Sequence, residues 1–123
     1  MATLNVTLTL ASTDLTSDAL SMTVTDSLTT GQYATGISRT TVTNVGANNI
    51  IQPRTDGQTY YLYVKHTGTS DGTTAITTTL NVELTGDVIV GKLAAGEFCF
   101  IPLGGHSLGA QLQASSGTIV AEY

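Results

Sequence analysis

A serine within a glycine-rich run is the first place where residue types and spacing could do chemistry. The run GHSLG at 105–109 matches G-x-S-x-G, the nucleophile elbow of α/β-hydrolases. That chemistry needs Ser107 on a strand-to-helix turn, with a downstream histidine that a carboxylate orients. Glu122 follows Ser107, but no histidine does. We therefore interpret the run as a loop between two strands, in which Gly104 and the two glycines of the motif provide positive φ.

Residues that could bind a metal show no ligand spacing. His66 and His106 fit neither H-E-x-x-H nor a Cys-containing zinc pattern, so we expect exposed or loop histidines. Cys99 lies between two phenylalanines, which favours a buried packing thiol over a nucleophile. Asp71-Gly72 lacks the flanking acids of a calcium loop, although an oxygen-ligated cation held by loops stays open. We predict no catalytic residue, no metal site and no cofactor.

A tyrosine cluster is the most informative remaining feature. The segment 59–66 reads TYYLYVKH, with aromatic and β-branched residues on both faces of a strand. One face must be buried, and the other then presents Tyr61 and Tyr63. Tyrosine is enriched at interfaces because it combines an apolar ring with a polar tip. We predict an interface at Tyr60, Tyr61 and Tyr63; the alternative is a second covering layer from the same chain.

The elements that must position these side chains are strands. Leu4, Val6, Leu8 and Leu10 alternate with polar residues, which predicts a half-buried strand. Similar alternation continues along the chain and predicts about 8–10 short strands, separated by Gly- and Asp-rich turns. The fold class is therefore all-β: a single antiparallel β-sandwich domain over residues 1–123, with jelly-roll and immunoglobulin-like topologies both open.

The sequence also predicts which strands lie inside a sheet and which lie at its edge. Segment 59–66 reads as a central strand, whereas the mostly polar segment 37–43 fits a sheet edge. Pro102 places the strand at 97–103 at an edge or ends it there. The best helical candidate, 14–22, is short.

Composition excludes several classes of partner. Of 123 residues, 24 are Thr and only 11% are charged, which suits strands and excludes a charged disordered tail. The net charge is −5, and the four cations, Arg39, Arg54, Lys65 and Lys92, are scattered. We expect neither nucleic acid nor an anionic membrane as a partner, because both require clustered cations.

The single cysteine permits no intramolecular disulfide and fits a reducing compartment. The N-terminal segment lacks the pattern of a secretory signal.

Three blocks resemble a known class of proteins. MATLNVTLTLAST at 1–13, TYYLYVKHTGTSDGTT at 59–74 and KLAAGEFCFIPLGG at 92–105 resemble small all-β virion structural proteins of tailed phages, notably those of cyanobacteria and other aquatic bacteria. The resemblance implies a non-enzymatic capsid decoration (cement) protein on the outer capsid surface. Its implied partners are the major capsid protein and itself, as a homo-oligomer, and it carries over no catalytic residues.

The alternative function is a tail-fibre or host-glycan-binding adhesion module. Tyr33, Tyr61 and Tyr63 could then stack on sugars, while Asp56 or Asp71 accepts hydrogen bonds from sugar hydroxyls. A hydrolase acting through Ser107 is a third, weaker hypothesis.

Overall fold

The computed structural model describes residues 2–15, 17–30, 36–53, 55, 59–103 and 107–123. Ten strands run through them: β1 (Ala2–Ser12), β2 (Leu20–Thr30), β3 (Arg39–Thr43), β4 (Asn48–Ile51), β5 (Tyr60–His66), β6 (Leu80–Leu84), β7 (Val88–Leu93), β8 (Phe98–Leu103), β9 (Ala110–Ala114) and β10 (Thr118–Glu122). Every strand pair is antiparallel. The all-β prediction, with about 8–10 strands in an antiparallel sandwich, is confirmed.

The chain groups into two compact units, Met1–Ala34 and Thr35–Tyr123. The first unit contains the β1–β2 hairpin, and we call the second unit the body. The prediction of one domain over residues 1–123 stays a prediction. The short helical candidate at 14–22 is not a helix in its described residues, because residues 20–22 belong to β2 and are paired with β1.

The hairpin has one apolar and one polar face. Its register runs from Ala2 opposite Thr30 to Ser12 opposite Leu20, so even-numbered residues of both strands share a face. The apolar face consists of Leu4, Val6, Leu8, Leu10, Leu20, Met22, Val24 and Leu28, with Asp26 among them. On the polar face, the Ser27 hydroxyl donates to Asn5 Oδ1 over 3.0 Å.

The predicted half-burial of the first strand is wrong. Leu8 and Val24, which face each other across the hairpin, are 45% and 50% exposed. The alternation was interpreted correctly as a strand with one apolar face. What it could not reveal is how exposed the apolar side chains of that face are.

The body is a jelly roll. Its two four-stranded sheets have the orders β3-β10-β5-β8 and β4-β9-β6-β7. The first strand of the body therefore pairs with the last, the second with the seventh, the third with the sixth and the fourth with the fifth. This is one long hairpin rolled into two sheets, as in a jelly roll. The strand order excludes the immunoglobulin-like alternative, which the alternation alone had left open.

Both sheets contribute to one hydrophobic core. Val42 and Ile119 enter it from the first sheet, and Leu80, Val82 and Leu112 from the second; all five are 0% exposed. Each fully buried aliphatic side chain stabilises the fold by about 1.5–3 kcal/mol. This shared core holds the two sheets of the body together.

Predictions about strand positions in the sheets are confirmed. β3 is an edge strand, β8 with Pro102 is the opposite edge, and β5 lies inside the sheet between β10 and β8. Apolar residues in phase from Ile76 to Leu84 predict a strand over residues 75–84. Strand β6 begins only at Leu80, because residues 67–79 form bends and irregular backbone with one isolated bridge from Thr69 to Ala75.

Candidate functional site

Strand β5 separates its side chains between the core and the outer face. Leu62, Val64 and His66 are buried, and Tyr60 packs against the core cluster. Tyr61 and Tyr63 point the other way and are half-buried. The predicted division of this strand is confirmed, but Tyr60 lies on the core side, apart from the other two tyrosines.

Two phenylalanines of β8 complete an outward aromatic surface. Phe100 lies opposite Tyr63, and Phe98 lies opposite Lys65. The Tyr61 and Phe100 rings stack with centroids 6.0 Å apart and planes 2° apart, while Tyr63 and Phe98 lie 6.2 Å apart at 37°. Phe98 is 60% exposed, which is unusual for so large an apolar ring. We call Tyr61, Tyr63, Phe98 and Phe100 the aromatic face.

Sequence reasoning missed the phenylalanines as part of this surface. Their shared side of β8 was evident from alternation, but their proximity to the tyrosines depends on β5 pairing with β8. That pairing joins residues nearly forty positions apart, so no local pattern encodes it.

A shallow groove of about 230 Å³ adjoins the aromatic face. Lys65, Arg39 and Glu122 line it together with threonine hydroxyls. Arg39 donates to Glu122 Oε1 through both Nε (2.8 Å) and Nη2 (2.6 Å). Lys65 lies opposite Phe98 of β8 and Glu122 of β10, and within the described residues it forms no ion pair.

The β7 edge of the other sheet is also apolar. Val88, Ile89 and Val90 of β7 are 52%, 53% and 44% exposed. Val82 and Glu83 of β6 pair with Gly91 and Ile89, so Val90 is an extra residue in a bulge. Bulges discourage pairing between sheet edges, but three consecutive exposed apolar residues favour contact with another molecule.

His66 is a structural core histidine. The prediction of an exposed or loop histidine is wrong, since this side chain is 0% exposed. Its Nδ1 accepts the Gly68 N–H over 2.9 Å, so the proton lies on Nε2, which donates to the Thr78 carbonyl oxygen over 2.7 Å. Both ring nitrogens are therefore used in holding the turn after β5 against the segment before β6. The overlooked signal was the phase of His66 with Leu62 and Val64.

The surroundings of Ser107 differ from those of a nucleophile elbow. Ser107 lies in an exposed bend, and strand β9 follows it where the hydrolase motif would require a helix. Gly109 is needed for close packing instead of positive φ, which corrects the sequence interpretation. A Cβ there would overlap the Ile51 carbonyl oxygen and lie 2.8 Å from the Pro53 nitrogen.

Two other candidate reactive residues have local structural explanations. Cys99 faces the core side of β8, and burial raises the pKa of its thiol, so it is a poor thiolate nucleophile. Asp71 accepts the backbone N–H groups and hydroxyls of Thr73 and Thr74. These hydrogen bonds hold the pKa of its carboxyl well below the usual range. Asp71 thus closes its own turn.

A buried polar cluster on the second sheet had no sequence signal. Gln111 Nε2 donates to Glu83 Oε2 over 3.1 Å and to Asp87 Oδ1 over 3.0 Å. Glu83 and Gln111 are 2% and 5% exposed. Asp87 sits at φ +62° in the β6–β7 turn, a conformation that aspartate tolerates better than most residues. The amide therefore ties this turn to β9.

Several candidates from the sequence lie outside the described residues: Tyr33, Arg54, Asp56, Gly104, Gly105 and His106. Across the described ranges, no group of three or more His, Cys, Asp or Glu side chains is placed to hold a metal ion. No helix in the same ranges is both long and apolar enough to cross a membrane.

Comparisons with protein-family models, curated proteins and solved structures find no match to this chain.

Proposed function

We propose that this chain is a non-enzymatic phage virion structural protein, namely a capsid decoration (cement) protein. It binds the shell of major capsid protein on its outer surface and stabilises that shell, and it also associates with itself. The observation that carries this proposal is uncovered apolar surface on both units: the apolar face of the hairpin, and the aromatic face and β7 edge of the body. Large exposed apolar areas mark sites of association.

The fold and charge of this protein favour binding to a capsid shell over catalysis. Jelly rolls recur in viral capsid proteins, a likeness at the level of fold that supports the resemblance of the three sequence blocks. The acidic net charge of −5 favours an outer surface over contact with the packaged genome.

The first test is the location and copy number of the protein in virions. Purified virions analysed by mass spectrometry and imaging should carry it in high copy on the head. Absence from virions, or a few copies confined to the tail, would overturn the decoration role.

The second test measures binding to the shell. Shells assembled without the protein should bind it to saturation in sedimentation assays and then melt at a higher temperature. An unrelated acidic protein of similar size is the negative control. We assign the exposed apolar residues of β7 to this contact, so Val90→Lys should weaken binding because it places a charge among them. Val45→Lys is the matched control, since Val45 is 83% exposed in a loop.

Glycan binding is the second candidate function, and the aromatic face beside the groove is the observation that favours it. Flat rings next to hydroxyl and charged groups can stack on sugars and bind their hydroxyls. A glycan array should then give hits that Tyr61→Ala and Tyr63→Ala remove, while Ile37→Ala, a change at another exposed apolar residue, leaves them intact. An array without hits argues against this role.

A further inference from the structure

We infer that the hairpin of one copy docks its apolar face on the aromatic face of a second copy, with Asp26 of the hairpin pairing with Lys65. The inference rests on the proposed function only in treating these apolar surfaces as sites of assembly. It names the self-association contact, which the resemblance left unspecified.

The hairpin needs a cover. An isolated two-stranded hairpin is marginally stable in water, and burial of an apolar face is what stabilises small sheets. Leu4, Leu8, Leu10, Met22 and Val24 are between 39% and 50% exposed. A second sheet packed at about 10 Å would bury them in the manner of a sandwich.

Charge distinguishes the two surfaces of a second copy that could cover the hairpin, namely its hairpin and its aromatic face. Residues 1–34 contain Asp14, Asp18 and Asp26 and no lysine or arginine. Packing one hairpin on another would bury Asp26 without a cation, which is costly. Every lysine and arginine of this chain falls within residues 35–123, and among the described ones Lys65 adjoins the aromatic face. Hairpin and aromatic face are therefore complementary in both apolarity and charge.

The areas of the hairpin face and the aromatic face predict moderate affinity between copies. Two strands of 11 residues present a face of roughly 36 by 10 Å, or about 350 Å². The aromatic face, on strands about 20 Å long, adds about 200 Å². A copy that uses both surfaces commits about 550 Å², below the roughly 800 Å² per partner of a standard interface. We therefore expect a concentration-dependent oligomer, closed by the same contact between each pair of neighbours.

The experiment measures the oligomeric state of the full chain alone, by sedimentation equilibrium over a range of concentrations. Asp26→Lys and Lys65→Glu should each weaken association by about tenfold, since each places like charges together. The double variant should recover most of that loss. Thr25→Lys, on the polar face of the hairpin, and Lys92→Glu, on β7, are the matched controls and should leave association unchanged. Circular dichroism checks that each variant remains folded.

A mixing experiment separates this contact from other modes of assembly. Leu8→Thr with Val24→Thr disables the hairpin face, and Phe98→Thr with Phe100→Thr disables the aromatic face. Each double variant alone should lose association by more than about tenfold. Mixed, they should form a heterodimer, because one retains an intact hairpin and the other an intact aromatic face.

The overturning results are distinct. A chain that is monomeric at all concentrations overturns the inference, as does an aromatic-face variant that associates normally, which would point to packing between hairpins. If the double variant with Asp26→Lys and Lys65→Glu does not recover association, the Asp26–Lys65 pairing is overturned. Shell binding by a monomeric variant would leave the proposed function standing, whereas loss of shell binding with intact oligomers would contradict the function alone.

Discussion

Gly109 shows at the scale of one residue how a glycine in an apparent catalytic motif serves packing. We predict that Gly109→Ala destabilises the protein by about 2 kcal/mol or more, because the new Cβ meets the backbone at Ile51 and Pro53, which cannot move like a flexible side chain. Urea denaturation measures the effect. Gly91→Ala is the matched control, since its Cβ would contact only Val82 Cβ at 3.9 Å. Equal midpoints for the two variants would contradict the packing role.

His66 supports the fold through both ring nitrogens. We expect His66→Ala to cost about 3 kcal/mol, from the lost packing volume and from leaving the Thr78 carbonyl and Gly68 N–H without their partner. The free energy of unfolding from denaturant titration tests this. Lys65→Ala, on the outward side of the same strand, should change it by less than about 0.5 kcal/mol. A small loss at His66 would show that water replaces the ring.

Asp71 makes one turn sensitive to acid. Hydrogen bonds from Thr73 and Thr74 lower the pKa of this carboxyl below that in the unfolded chain. The stabilisation is therefore present above about pH 4 and is lost as pH falls through the lower folded pKa. NMR should show that the Asp71 carboxyl does not titrate near pH 4. In Asp71→Asn, the Thr73 and Thr74 amides should exchange faster at neutral pH. Titration in the ordinary range would contradict the prediction.

The two kinds of strand pair differ in how well the chain itself supports them. In the described part of the chain, β9 and β10 lie inside four-stranded sheets over a hydrophobic core, whereas β1 and β2 pair with each other alone. We predict that, at concentrations where the protein is monomeric, amides of β1 and β2 exchange much faster than those of β9 and β10. Hydrogen exchange with mass spectrometry tests this. Equal protection in the monomer would mean that the hairpin is covered within its own chain.

The elements were largely predictable, because alternation with a period of two is a local property. The edge positions of β3 and β8 also followed from local chemistry, namely a polar strand and a proline that donates no hydrogen bond. The beginning of β6 was predicted too early, because Ala75 and Ile76 continue the apolar pattern while the backbone turns.

At the scale of the whole molecule, the last strand completes the body. β10 lies between β3 and β5, so its loss would open the first sheet at its centre. We predict that a chain ending at Gly117 fails to fold, whereas a chain of residues 35–123 retains the strand spectrum and unfolds cooperatively. Circular dichroism and thermal melts distinguish the two. If the chain lacking the hairpin is unfolded, residues 1–123 form one cooperative domain and the two units are not independent.

Local patterning alone determined that this protein is made of strands, that Tyr61 and Tyr63 share a side opposite Leu62 and Val64, and that its charge disfavours polyanions. Tertiary structure decided the strand order, and with it the jelly roll, the burial of His66 and the meeting of Phe98 and Phe100 with the tyrosines. The physical reason is that side-chain direction along a strand depends on neighbouring residues. Which strands pair depends on contacts distant in sequence, whose stability is settled only when both sheets close over one core.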